Sequence, residues 1–132
     1  MPVTERHEDV VEILRESFGD DLRVVLVAYL EDDGVRHEKV FFPERIARDY
    51  TEGSLDEIAR EMLYQGMETT YHESLYELGG LRYTTQRFEN AVVMVFPHPQ
   101  TDRRSTVASV EEDAVGDSVY EAADACADVL GV

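Results

Sequence analysis

The chain predicts an α+β fold: a five-stranded antiparallel sheet in the order α-β-β-α-β-β-β-α, with one long helix on one face and the two terminal helices on the other. Three observations carry that expectation. Residues 22–30, Leu-Arg-Val-Val-Leu-Val-Ala-Tyr-Leu, are too few to cross a membrane and too apolar on both alternating faces to lie half in water. Simple alternation points Leu22, Val24, Leu26, Ala28 and Leu30 one way and Val25, Val27 and Tyr29 the other, so this strand needs a helical layer on each side. Residues 91–96, Ala-Val-Val-Met-Val-Phe, have the same two-faced character and belong inside the same sheet. The hydrophobic period also changes from helical to extended after Gly79-Gly80, which separates a long helix from the strands that follow.

The elements follow in order. Residues 4–18 predict a first helix, with Thr4 as N-cap, Glu5, Glu8 and Asp9 in the first turn where the macrodipole favours acids, and Gly19 past the end. His7, Val10, Val11, Leu14 and Phe18 form its apolar stripe. The first strand runs into Glu31-Asp32-Asp33-Gly34, whose Asp-Gly pair supplies the positive backbone angle of a tight hairpin. Its partner, Val35 to Phe42, carries Arg36, His37, Glu38 and Lys39 and so belongs at an edge or on a solvated face. Pro43 stops that strand and pre-sets a helical turn over residues 44–48. Ser54 and Glu57 read as the capping box of the long helix, whose apolar positions Leu55, Ile58, Ala59, Met62, Leu63, Met67, Tyr71, Leu75 and Leu78 hold the period to Gly79. Gly66 in its middle predicts a kink or a close backbone approach. Leu81 to Phe88, a turn at Glu89-Asn90 and Ala91 to Phe96 make a second hairpin; Pro97 to Arg103 is a loop, and Arg104 to Val110 a last strand. Val115, Val119, Ala122, Ala123, Cys126, Val129 and Leu130 line one face of a closing helix.

Composition bounds the rest. The 132 residues suit one domain over 1–132, and a globule of that size buries roughly 68% of the surface of its unfolded chain. Cys126 is the only cysteine, so no internal disulfide can form, and a reducing cytoplasm is the expected location. The polar amino terminus and the lack of any apolar run near 18 residues exclude a signal core and a membrane helix from the expectation. Twenty-nine acids stand against 12 bases, a formal charge of −17, and Lys39 is the single lysine. Such self-repulsion is penalised in dilute buffer but nearly vanishes where the Debye length is about 3 Å or less, at 1 M salt and above. The acids are spread along the chain, as on a solvated surface, and their excess disfavours binding to nucleic-acid phosphates.

No catalytic motif emerges. The histidines His7, His37, His72 and His98 are far apart in sequence; Glu68 and His72 share a helix face, but two ligands fall short of a metal site and the second histidine of the zinc-protease helix is missing. His98, between two prolines, reads as a surface imidazole on a stiff loop. Cys126 lies on an inward stripe and reads as a small hydrophobe. Neither Ser74 nor Ser118 sits in a nucleophile elbow, and Gly79-Gly80 lacks the pattern of a phosphate loop. No cofactor is expected. One constellation stands out: the middle helix and the next strand hold more large apolar side chains than one face can bury. Met62, Tyr64, Met67, Tyr71 and Tyr83 (with Tyr76 beside them) either complete the core with their hydroxyls in water or form a homodimer seam.

The order of elements resembles the roadblock and longin group, which includes dynein light chains and bacterial regulators of small GTPases, and more distantly profilin. Acid excess with almost no lysine resembles the cytoplasmic proteins of salt-accumulating archaea. At residue level the chain resembles an uncharacterised family of small acidic haloarchaeal proteins, through Leu22-Arg23-Val24-Val25, Phe41-Phe42 leading into Arg45, Tyr50-Thr51, Leu75-Tyr76, and Gly80-Leu81 through Arg87-Phe88 to Ala91-Val92. That family brings no activity with it. The roadblock resemblance implies that the middle helix and following strand meet their symmetry mates, and that a partner protein, a small GTPase among the possibilities, is bound. The first expectation is therefore a non-enzymatic cytoplasmic interaction module. A small-molecule-sensing domain would instead need a cavity of roughly 300 Å3 or more between sheet and middle helix, lined by Met62, Met67 and Tyr71. An enzyme using His72 and a nearby carboxylate comes last.

Overall fold

In the computed structural model the described residues are 5–98, 103–114 and 117–132, without the side chains of Met67, Thr70, Ala114 and Asp117. The expected Thr4 cap, the stretch 99–102 of the expected loop and Val115 of the closing stripe lie outside them. The elements are α1 (Glu5–Phe18), β1 (Leu22–Glu31), β2 (Gly34–Phe41), α2 (Glu44–Ala47), α3 (Glu52–Met67), α4 (Thr69–Tyr76), β3 (Thr84–Arg87), β4 (Ala91–Pro97), β5 (Arg104–Glu111) and α5 (Asp117–Leu130). The five strands form one antiparallel sheet in the order β2-β1-β5-β4-β3. This is the α+β architecture expected, with helices on both faces.

The terminal helices cover one face. Val10, Leu14 and Phe18 of α1 and Val119, Ala122, Ala123, Cys126 and Leu130 of α5 pack on Leu22, Val25, Val92, Met94, Phe96, Ala108 and Val110. Small side chains on α5 let that helix approach closely, while α1 brings the larger ones. On the other face α3 lays Leu55 on Val24, Leu26 and Ile46, and Ala59 and Met62 on Ala28, Val95 and Val107. The two apolar strands flank β5 rather than each other. β5 holds the centre, which explains its run of six buried residues from Ser105 to Val110.

Leu22 departs from the expected alternation. In the pairing of β1 with β5, Leu22 faces Val110 and Val24 faces Ser109, two successive partners, so Arg23 is an extra residue in a β-bulge. The bulge turns Leu22 into the α1/α5 core together with Val25, away from Val24 and Leu26. Strict alternation would have placed Arg23 in that core.

The middle helix also differs from expectation. Its cap is Thr51, whose hydroxyl accepts from the Ser54 N–H (3.0 Å) while Ser54 Oγ accepts from the Thr51 N–H (2.9 Å). Ser54 is thus the third helical residue of the capping box, and Glu57 has no part in it. One continuous helix to residue 78 does not form. α3 ends at Met67, Glu68 adopts φ −82° and ψ −6°, and α4 restarts at Thr69. Poor helix formers meet here, Gly66 and the β-branched Thr69-Thr70 pair, and the helix is interrupted at Glu68, close to the kink expected at Gly66. The close backbone approach expected at Gly66 is not found: a Cβ there would lie 3.6 Å from the side-chain Cβ of Pro97, an ordinary van der Waals contact.

The strand expected over 81–88 shrinks to Thr84–Arg87 at the sheet edge. Other partners hold residues 81–83. The Leu81 N–H donates to Glu73 Oε1 (2.9 Å), Arg82 donates to Asp128 and to the Val132 carbonyl (3.2 Å), and Tyr83 donates to Asp124 (2.7 Å).

Candidate functional site

Two features stand out from a filled core: a groove on the α3 face and a run of uncovered apolar side chains. The groove encloses about 580 Å3 between the first half of α3 and the sheet, reaching the β3–β4 turn. Leu55, Ile58 and Met62 form its helical wall, with Val24, Leu26, Val93 and Val107 as its floor. α3 packs on β2, β1, β5 and β4, most extensively on β2, while among the described residues no helix packs extensively on the short edge strand β3.

Arg23 stands at the rim, delivered to this face by the bulge. Its Nη1 lies 3.4 Å from Glu111 Oε1, an oxygen that Arg45 Nη1 approaches more closely at 3.1 Å. Arg45 is held in turn by the carbonyls of Asp20 (3.0 Å) and Leu22 (2.8 Å). Two guanidinium groups therefore share one carboxylate. Arg23 Nε is buried and has no hydrogen-bond partner among the described residues, a state that costs about 1–3 kcal/mol for a buried donor.

The uncovered run lies on the last turn of α3, on α4 and in the segments flanking β3. Tyr64 is 58% exposed, Tyr71 63%, Leu75 56%, Tyr76 64%, Leu78 85% and Phe88 55%. α4 diverges from the sheet, so the stripe that periodicity assigns to the core faces outward.

The structure separates the residues singled out in the sequence. Met62 is buried under α3 and lines the groove; Tyr64 is exposed on the same helix; Tyr71 is exposed on α4. The Met67 side chain lies outside the described residues. Tyr83 belongs to the opposite face, its ring 5.6 Å from that of Phe96. Burial and the hydrogen bond to Asp124 push its hydroxyl up to about 12. The expected small-molecule lining of Met62, Met67 and Tyr71 therefore reduces, in the groove observed, to Met62.

His72 meets the rings of Tyr71 and Tyr76 at 6.0 and 6.5 Å, and among the described residues it pairs with no carboxylate. No three His, Cys, Asp or Glu side chains converge as metal ligands among the described residues. His98 is half-buried and shares a hydrogen bond with Thr106 (2.9 Å), a firmer placement than a surface imidazole. Its ring lies 6.0 Å from that of His7, which is buried on α1 and held below its usual pKa by burial and by the charge of Arg104. Burial pushes the Cys126 thiol up to about 12.

Sequence reasoning missed one polar cluster. His37 on β2 bonds through Nδ1 to Asp56 (2.7 Å) and through Nε2 to Glu52 (2.8 Å), and Lys39 reaches the other Glu52 oxygen at 2.7 Å. Lys39 holds the Glu52 carboxyl below its usual range. The cluster ties the edge strand to the first turn of α3. Its signal was available in the alternate positions of His37 and Lys39, which share one face of β2.

The family model described as Domain of unknown function (DUF7522) matches residues 8–131. The chain belongs to this family. No curated protein matches its sequence. Among solved structures, the gliding protein MglB of Thermus thermophilus superposes with a TM-score of 0.58 at 17% identity, over 97% of this chain and 90% of that one. A second, described as MglB with tetrameric arrangement, gives 0.49 at 16% identity, over 98% and 93%. The first likeness establishes that this DUF7522 member has the roadblock-like fold of MglB. Among the described residues no helix is long and apolar enough to cross a membrane.

Proposed function

We propose that the chain, one domain over residues 1–132, is a non-enzymatic cytoplasmic interaction and regulatory module that acts as a homodimer. The observation that carries this reading is the uncovered run Tyr64, Tyr71, Leu75, Tyr76, Leu78 and Phe88. Large exposed apolar patches mark interaction sites, and this one adjoins β3, an edge strand with an open hydrogen-bonding side. A second copy related by a two-fold axis would cover both features with one self-complementary surface. Tyr64, Tyr71 and the neighbouring Met67 belong to this seam, with Met62 supporting it from the core; Tyr83 contributes by fixing the segment that leads into β3. A small GTPase is the partner class the roadblock-like fold suggests. Light scattering in about 2 M salt, well beyond the screening of surface charges, should give twice the chain mass. Leu75→Glu should return the monomer with unchanged circular dichroism; a monomeric wild-type chain ends this reading.

The charge of −17 supports a further part of the proposal, that the protein works in concentrated salt as haloarchaeal proteins do. Dialysis into about 0.1 M salt, where the Debye length grows to about 10 Å, should expand or unfold the chain. Unchanged circular dichroism there would refute salt adaptation.

A specific observation also favours a second reading, a small-molecule-sensing domain. The groove of about 580 Å3 lies within the size range of ligand pockets, although Met62 is its one residue from the lining expected.

A further inference from the structure

We propose that the groove beside α3 binds a small amphipathic carboxylate, its acid group on Arg23 and its hydrocarbon body along Ile58, Met62, Val93 and Val107. The inference rests on the small-molecule reading and deepens it by assigning the ligand's chemistry. The walls call for an apolar body, since Val24, Leu26, Leu55, Ile58, Met62, Val93 and Val107 present no polar side-chain groups. The rim calls for a head group of defined sign.

Arg23 and Glu89 are the charged residues of the lining. Glu89 is exposed in the β3–β4 turn and is solvated where it stands. Arg23 is different in three respects. It occupies the bulge position, the extra residue that re-aims a side chain locally. Its Nε is buried with no hydrogen-bond partner among the described residues. Its Nη1 lies 3.4 and 3.5 Å from the two oxygens of Glu111, one of which Arg45 holds more closely at 3.1 Å, so two guanidinium groups share this one carboxylate. A carboxylate accepts two parallel hydrogen bonds from a guanidinium fork, which is what an incompletely paired arginine beside apolar walls can offer. In concentrated salt the long-range field of the −17 charge is screened, so only a local group can select the sign of a ligand. Selectivity for an acid therefore has to come from a local guanidinium, and this groove has one.

The test compares octanoate, octanol and octylammonium, titrated below their aggregation limits in about 2 M salt and followed by amide shifts of the labelled full chain. Octanoate should give saturable shifts at Val24, Ile58, Val93 and Val107 and bind about tenfold more tightly than octanol, as a charge-assisted hydrogen bond implies. Arg23→Gln should erase that preference while leaving octanol binding unchanged. Val93→Phe, which fills the groove from a strand position that accepts aromatic residues, should abolish binding of both with circular dichroism intact, so the result does not depend on the Arg23 variant folding. Equal affinity for octanoate and octanol, or a preference retained in Arg23→Gln, overturns the acid assignment but leaves a pocket. Tighter octylammonium overturns it in favour of Glu89. Absence of saturable binding by all three overturns the pocket reading as well.

Discussion

The two faces of the sheet are built by different rules. Under α1 and α5 the side chains close completely: Leu14, Val25, Met94, Phe96, Ala108, Val110, Ala123 and Cys126 are all sealed from water. Under α3 the sheet is wider than its cover, and Val93 remains half-buried at the floor of the groove. One face is dedicated to stability, then, and the other has apolar surface in reserve. The comparison yields a mutational contrast. Phe96→Ala empties a closed site, losing transfer energy and leaving a cavity, and should cost about 3–5 kcal/mol. Met62→Ala enlarges a groove that already opens to solvent, so the transfer term alone applies and the cost should be about 2 kcal/mol or less. Urea unfolding in high salt measures both. Equal costs would mean that the α3 face is as tightly closed as the other.

Acid separates the faces too. His7 belongs to the closed side, and burial followed by the positive charge of Arg104 lowers its folded pKa below the 6.5 of an ordinary imidazole. The unfolded chain therefore binds the proton more readily. His7's contribution is complete above about pH 6.5 and is lost as the pH falls from there through the folded value, at a slope of no more than about 1.4 kcal/mol per pH unit. His7→Leu, which leaves Arg104 and the neighbouring His98 in place, should flatten the stability profile between about pH 6.5 and 5, above the range where most carboxylates titrate. A profile unchanged by the substitution would mean that His7 titrates alike in both states.

A smaller effect distinguishes the two candidates for the α3 cap. Thr51→Ala removes the hydroxyl that accepts the Ser54 N–H and should cost about 1 kcal/mol. Glu57→Ala should be neutral within about 0.5 kcal/mol, as expected for a surface position outside the capping box. The reverse order would restore the cap that the Ser54 and Glu57 spacing suggests.

What the sequence revealed and what it concealed divide along physical lines. The strands Leu22–Glu31 and Ala91–Pro97 were legible because both faces of each are apolar, a demand that only a sheet between helices meets. The place of β5 at the centre was not, since Ser105, Thr106 and Ser109 look polar in a list of residues; the structure buries them among strand neighbours. Periodicity carried the middle helix too far, because Tyr71, Leu75 and Leu78 keep the helical spacing although the chain has left the sheet. Spacing reports which side chains align, not whether anything lies opposite them. Arg23 was concealed most thoroughly. A bulge is a local mismatch between two strands, and neither strand shows it alone.

The last contrast changes stability least and tests access most directly. Cys126 lies on the closed face, and burial pushes its thiol up to about 12, which keeps it from ionising at about pH 8 while the fold is closed. Iodoacetamide should therefore reach Cys126 only through opening of the fold, at a rate that rises with denaturant. Ser109 of β5, on the groove side of the sheet, is 7% exposed and lines the open volume. In a Cys126→Ala background, S109C should react at least about tenfold faster than native Cys126, without denaturant dependence, because local access rather than unfolding then limits the reaction. Octanoate should slow that reaction if it occupies the groove. Equal rates for the two thiols, both tracking denaturant, would make the α3 face as closed as its opposite and remove the asymmetry on which a ligand site depends.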